Sequence, residues 1–181
     1  MYRLWQALFQ SLLRTRIRVK GAEHLPQGPL ILAANHVDWL DGFSLSYAVW
    51  PATHKKMTFL ARANNWRIFG QSNVLMHPNT EGVLAELLVR MQQGTIIGFF
   101  PEGYRNPEAT LAPGRRGVIR FALMSGAPVV PVGITTMSGR TMLHSVWNLL
   151  RHPVTVSFGE PITYSEFLER KNDPATLQAR G

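Results

Sequence analysis

The chain has no cysteine, which excludes a disulfide frame, a thiol nucleophile and a cysteine-based zinc site. Acids are scarce: 11 Asp and Glu stand against 19 Lys and Arg, for a net charge of +8. The isoelectric point lies near 10.6. A chain so charged attracts polyanions, and nucleic acid, an anionic membrane and phosphorylated small molecules all answer that description. Most of its cations are Arg, whose planar fork suits bidentate phosphate contact better than a lysine ammonium does. No run approaches the ~18–20 apolar residues needed to cross a bilayer. The Gly-x-Ser-x-Gly elbow of serine hydrolases is missing, with only half-matches at Gly42-Phe43-Ser44 and Gly70-Gln71-Ser72. Walker and Gly-x-Gly-x-x-Gly loops are missing as well. Aromatic residues are not interleaved with the basic ones, so no base-stacking platform forms and no nucleic-acid partner is expected. His24, His54, His144 and His152 lack metal-ligand spacing, and no metal is expected.

What remains is a chain of 181 residues, 45% hydrophobic and 17% charged, large enough to bury the core of one domain. Near its start, Leu4, Trp5, Leu8, Phe9 and Leu12 recur at helical spacing among Arg3, Arg14, Arg16 and Arg18. Residues 1–16 therefore read as an amphipathic helix, lying either on an anionic leaflet or against the domain itself. The same arginine-rich, acid-poor bias marks transit peptides. Short strands are expected at Ile17 to Gly21, Leu30 to Ala34, Met57 to Leu60 and Val74 to Met76. Further strands follow at Thr95 to Phe100, Pro128 to Thr135 and Val154 to Phe158. Helices are expected from Asp41 to Val49, stopped by Pro51, and from an Asn79 or Thr80 cap to Gln93, with Leu84, Leu87, Leu88 and Met91 inward. Two more run over Gly117 to Ser125 and Tyr164 to Lys171, and Asn64 to Phe69 is irregular or helical. No regular element is assigned between Thr135 and Val154. Alternating strands and helices predict a single α/β domain over 17–170, a mostly parallel central sheet covered by helices, with a polar tail over 171–181.

The stretch Asn35-His36-Val37-Asp38-Trp39-Leu40-Asp41 follows the apolar run Pro29 to Ala34. In a continuous helix, residues five apart point roughly 140° away from one another. His36 and Asp41 meet only if the histidine leaves a strand and the aspartate enters the next helix. A carboxylate placed so would fix one imidazole tautomer and ready it to accept a proton from a hydroxyl. Asp38 either caps that helix or competes for the imidazole. A second block, Phe99-Phe100-Pro101-Glu102-Gly103-Tyr104-Arg105-Asn106, likewise follows an apolar run. Gly103 permits close backbone approach to a ligand. Glu102 either orients a substrate, braces the loop backbone or pairs with an arginine. Gly114-Arg115-Arg116-Gly117 opens a helix, where backbone N–H groups, dipole and guanidinium together favour an anion.

With Val129-Val130-Pro131-Val132 as a third block, the sequence from about Val19 to Pro161 resembles the glycerolipid (lysophospholipid) acyltransferases. The marks of that family are N-H-x4-D, then F-P-E-G-x-R, then V-P-V. The resemblance implies transfer of a fatty acyl group from acyl-CoA or acyl carrier protein to a lysophospholipid hydroxyl, with 1-acylglycerol-3-phosphate the leading acceptor. It implies His36 as general base and Asp41 as its orienting partner. Asn35, Glu102, Gly103, Arg105, Arg115 and Arg116 would contact substrate, and backbone N–H groups near Gly103 or at a helix start would hold the oxyanion. No cofactor beyond the thioester co-substrate is implied, and the setting is peripheral or monotopic on the cytoplasmic face of a membrane. The family's middle block usually ends in an arginine; here that place holds His77, so either the acceptor differs in headgroup or Arg62 or Arg67 supplies the charge.

Overall fold

The computed structural model describes residues 14–61, 72–75, 80–108 and 110–163. Residues 1–13 of the expected N-terminal helix, Arg62, the Asn64 to Phe69 segment with Arg67, His77, the Asn79 cap, the Tyr164 to Lys171 helix and the 171–181 tail lie outside the described residues. Residues 14–16 are helical and run directly into the first strand.

Among the described residues, seven strands form one sheet in the order β1-β7-β6-β2-β5-β3-β4. They are β1 (Ile17–Lys20), β2 (Ile31–Ala34), β3 (Met57–Ala61), β4 (Ser72–Leu75), β5 (Ile96–Phe99), β6 (Val129–Thr135) and β7 (Val154–Phe158). From β6 to β4 all neighbours are parallel. β7 runs antiparallel to β6 and carries β1 parallel beside it. The expected mostly parallel α/β sheet is thus present. β2, β5 and the first half of β6 read as unbroken apolar runs because helices cover both faces of the parallel region.

Among the described residues, four α-helices of nine residues or more pack on it: α1 (Asp41–Thr53), α2 (Thr80–Gln92), α3 (Gly117–Ser125) and α4 (Met142–Arg151). On one face, Leu45, Ala48 and Val49 of α1 pack with Leu32, Phe59, Val130 and Val156. On the other, Val83, Leu84, Leu87 and Met91 of α2 and Phe121 of α3 close over Ile31, Ile97 and Val129. Leu45, Leu87 and Phe121 are completely enclosed, and burial of each contributes about 1.5–3 kcal/mol.

Two expectations are corrected here. α1 does not stop at Pro51 but runs through it to Thr53, where His54 enters the left-handed region at φ 53° and its N–H reaches the Trp50 carbonyl. Proline there removes an i→i−4 bond and its ring crowds the carbonyl one turn earlier, yet the helix continues two residues past it. α4 occupies a stretch to which no element was assigned. Thr141 caps it through a hydroxyl that accepts the His144 N–H, and Pro153 follows its end. Among the described residues no helix is long and apolar enough to cross a membrane.

Candidate active site

Hydrogen-bonding places β6, β2 and β5 side by side in parallel, so the loops leaving their C-terminal ends open on one edge of the sheet. Such an edge is where open α/β sheets bind ligands. Asn35, directly after β2, clamps the neighbouring strand. Its amide nitrogen donates to the Ile134 carbonyl at 2.9 Å, and its oxygen accepts the Ile134 N–H at 2.6 Å. Both polar ends of Asn35 are therefore engaged by backbone, and its place at the site is to fix where the next residue begins.

That next residue is His36, and the structure brings it to Asp41. His36 Nδ1 lies 3.0 Å from Asp41 Oδ2. The same oxygen accepts the N–H groups of Val37 at 2.6 Å and Asp38 at 2.7 Å. Three donors on one oxygen are the surroundings of an ionised carboxylate, which sets the tautomer: Nδ1 carries the proton and Nε2 keeps its lone pair. Burial nonetheless pushes the Asp41 carboxyl above its ordinary range, against the hydrogen bond and charge of His36 and the two backbone donors. The imidazole stacks on Phe100 with centroids 4.2 Å apart and planes 20° from parallel. Phe100 in turn lies 5.6 Å from Phe59 with planes 8° apart. Gly98 makes room for this pile, since a Cβ there would meet the Phe59 ring at 2.5 Å.

The Pro101-Glu102-Gly103 turn leaves β5 beside the histidine. Glu102 is buried and braces three segments. Its Oε1 accepts the His36 N–H at 2.9 Å, and its Oε2 accepts the Asn106 amide at 2.9 Å and the Ala112 N–H at 3.2 Å. Of the alternatives open for Glu102, bracing is what the geometry shows. Gly103 adopts φ 73° and donates its N–H to the Phe100 carbonyl at 2.9 Å, so that N–H is engaged within the turn rather than turned to an oxyanion. A Cβ on Gly103 would meet Arg115 Nε at 2.5 Å, so the missing side chain lets that guanidinium lie against the turn. Arg115 also donates its backbone N–H to the Pro101 carbonyl at 2.7 Å, while Arg116 caps α3 and is exposed. Arg105 lies over the Trp39 ring at 4.8 Å and donates through Nη1 to Gly139 O at 2.7 Å and Ser138 Oγ at 3.2 Å.

Asp38 does not compete for the imidazole, nor does it cap α1, whose cap position is Leu40 without a side-chain bond. Its Oδ1 accepts the Leu40 N–H at 3.0 Å, and its Oδ2 accepts the Gly139 N–H and the Ser145 hydroxyl, each at 2.7 Å. Ser138 and Gly139, in the loop after β6, and Ser145 and Asn148, on α4, border the site without any signal in the sequence. Behind the turn, a groove of about 650 Å³ crosses the sheet face. Its lining includes Ala33, Leu111, Ala112, Pro131 and Gly133 and reaches Glu102 and Asn35, the residue directly before His36. His36 and Asp41 themselves do not line it. Among the described residues no cluster of His, Cys, Asp and Glu is built to hold a metal ion.

A mostly parallel α/β sheet thus carries an imidazole–carboxylate pair at its strand ends, an arrangement able to accept and return a proton. The chain belongs to the Acyltransferase family, whose model matches residues 16–135. It is similar to the 1-acyl-sn-glycerol-3-phosphate acyltransferase of Escherichia coli (strain K12), 30% identical over 151 residues, covering 77% of this chain and 59% of that protein. It is also similar to the chloroplastic 1-acyl-sn-glycerol-3-phosphate acyltransferase BAT2 of Brassica napus, 28% identical over 80% of this chain and 44% of that one. The chain thus spans about half the length of these relatives. Its fold matches the crystal structure of the 1-acyl-sn-glycerophosphate acyltransferase PlsC from Thermotoga maritima. There the TM-score is 0.61 and the identity 22%, over 94% of this chain and 72% of that one.

Proposed function

We propose that this chain moves a fatty acyl group from a thioester, on coenzyme A or acyl carrier protein, to the hydroxyl of a lysophospholipid. The acceptor is 1-acylglycerol-3-phosphate, the molecule that names the relatives described above. The work is done peripherally at the cytoplasmic face of a membrane, within phospholipid synthesis. One observation carries the reading: His36 Nδ1 held 3.0 Å from a carboxylate oxygen that two further N–H groups pin in place.

Nε2 of His36 takes the proton of the acceptor hydroxyl as its oxygen attacks the thioester carbonyl. Asp41 stabilises the imidazolium that forms. Collapse of the tetrahedral intermediate breaks the C–S bond, and the imidazolium returns its proton to the leaving thiolate. A thioester is already activated, so no enzyme nucleophile is needed. Arg115 and Arg116, at the start of α3, and the Nε and Nη2 donors of Arg105 serve the acceptor phosphate. The groove between Leu111 and Pro131 is wide and apolar enough for an alkyl chain.

The test is turnover of labelled acyl-CoA against a panel of lysolipids by wild type and His36→Ala. Loss of about 10²–10⁴-fold in the variant is expected. Undiminished turnover without the imidazole would remove His36 as base, and no turnover with any donor or acceptor would leave a non-catalytic lipid-binding module.

A further inference from the structure

α4 is built inside out. A surface helix ordinarily turns its apolar stripe to the core and its polar face to water. Here the buried positions include Ser145 and Asn148, with Leu149 alone joining the core. The solvent side carries Leu143, Val146, Trp147 and Leu150, at i, i+3, i+4 and i+7. Leu143 is 82% exposed and Trp147 52%. Met137, before the helix, and Met142, at its start, are exposed as well. The buried polar atoms are satisfied: Ser145 by Asp38, Asn148 by the Met137 and Ser138 carbonyls at 3.3 Å. Inversion therefore leaves no internal defect, only an apolar stripe with nothing over it among the described residues.

The charge around the stripe identifies its occupant. Arg140 precedes the helix and Arg151 ends it, both exposed, with the Arg151 guanidinium 4.2 Å above the Trp147 ring. An apolar stripe with an interfacial tryptophan and arginines at both ends is the composition of a helix lying flat in an anionic leaflet. Ten residues, about 15 Å long, can lie in that plane but cannot cross it. We propose that α4 is a membrane-docking element, which seats the apolar stripe among the acyl chains of an anionic bilayer.

The docking face is fastened to the candidate catalytic loop. Asp38 ties Ser145 and Gly139 to the residues between His36 and Asp41, and the Ser138 hydroxyl donates to the Val37 carbonyl at 3.0 Å. Seating α4 would thus fix the depth of the imidazole relative to the lipid headgroups.

The experiment is flotation of the full chain with vesicles of phosphatidylcholine alone or mixed with phosphatidylglycerol. It reads binding and not turnover, so it fails or succeeds independently of the acyl-transfer reading. Leu143→Asp with Trp147→Asp is expected to lower partitioning at least about tenfold. Arg140→Gln with Arg151→Gln is expected to lower it about fivefold per charge on the mixed vesicles only. The arginine pair is exposed and keeps the test open if the double aspartate does not fold by circular dichroism. Val89→Asp, an exposed position on α2, serves as control and should float as wild type does. Unchanged flotation of both α4 variants overturns the proposal. So does flotation that only Trp5→Asp abolishes, which assigns binding to the N-terminal segment. A wild-type dimer split by the aspartates with flotation intact would make a second copy the occupant, and also overturns it.

Discussion

Replacing Asp41 by Asn separates charge from geometry. The amide oxygen can accept the same three donors, His36 Nδ1, Val37 N–H and Asp38 N–H, so the imidazole keeps its place. What is lost is the negative charge beside a developing imidazolium. With the two groups in contact at 3.0 Å, their charge centres lie about 4 Å apart, and an effective dielectric of about 20 makes the attraction about 4 kcal/mol. The His36 side chain is 24% exposed, so solvent screens part of this and about 2–4 kcal/mol remains. Turnover number at saturating donor and acceptor should therefore fall about thirtyfold to a thousandfold. Stability should move the other way. Burial raises the Asp41 carboxyl above its ordinary 3.8, so between that value and the raised one the folded protein binds more protons than the unfolded chain. Stability contributed by the protonated acid is fully present below 3.8 and lost as pH climbs through the raised value. Asparagine has no such loss. The melting temperature of the variant relative to wild type should increase with pH from below 3.8 and then level off. A variant within threefold of wild-type turnover, or a relative melting temperature that falls with pH, would refute the reasoning.

Glu102→Gln must point an NH2 at donors, since His36 N–H occupies one oxygen and Asn106 and Ala112 the other. The unsatisfied pair should cost about 1–3 kcal/mol, visible in calorimetry as a melting point lower by several degrees. An unchanged melting point would mean the brace carries no load. Arg115→Gln with Arg116→Gln should raise KM for a phosphate-bearing acceptor about tenfold and leave KM for a zwitterionic lysolipid alone. An equal effect on both acceptors would show that the two arginines do not read the phosphate.

Strands were legible in the sequence wherever parallel pairing buries both faces, because Leu30 to Ala34, Thr95 to Phe100 and Pro128 to Thr135 carry unbroken apolar runs. The His36–Asp41 pair was legible too, since spacing five excludes a helix and demands the strand-to-helix turn that is found. α4 was not. Its apolar residues have helical spacing, but Ser145 and Asn148 hold the inner positions, so the usual rule of apolar inward offered no core to attach it to. The role of Asp38 was not legible either, because its partners Gly139 and Ser145 lie about a hundred residues away, in the loop before α4 and on α4 itself. Arg105 and Glu102 are legible as chemistry-bearing residues, yet only coordinates show that Glu102 ties loops together and that Arg105 lies over Trp39 and donates to Ser138 and Gly139.

The three loops that meet at His36 hang from strands that are themselves hydrogen-bonded neighbours, β6, β2 and β5. Their separation is set by the interstrand repeat, about 4.8 Å, and not by the residues of the loops. The residues between the Asn106 and Ala112 anchors can consequently change composition without moving the imidazole. A scaffold of this kind lets preference for one headgroup over another drift in the rim while the proton-transfer pair stays where the sheet puts it.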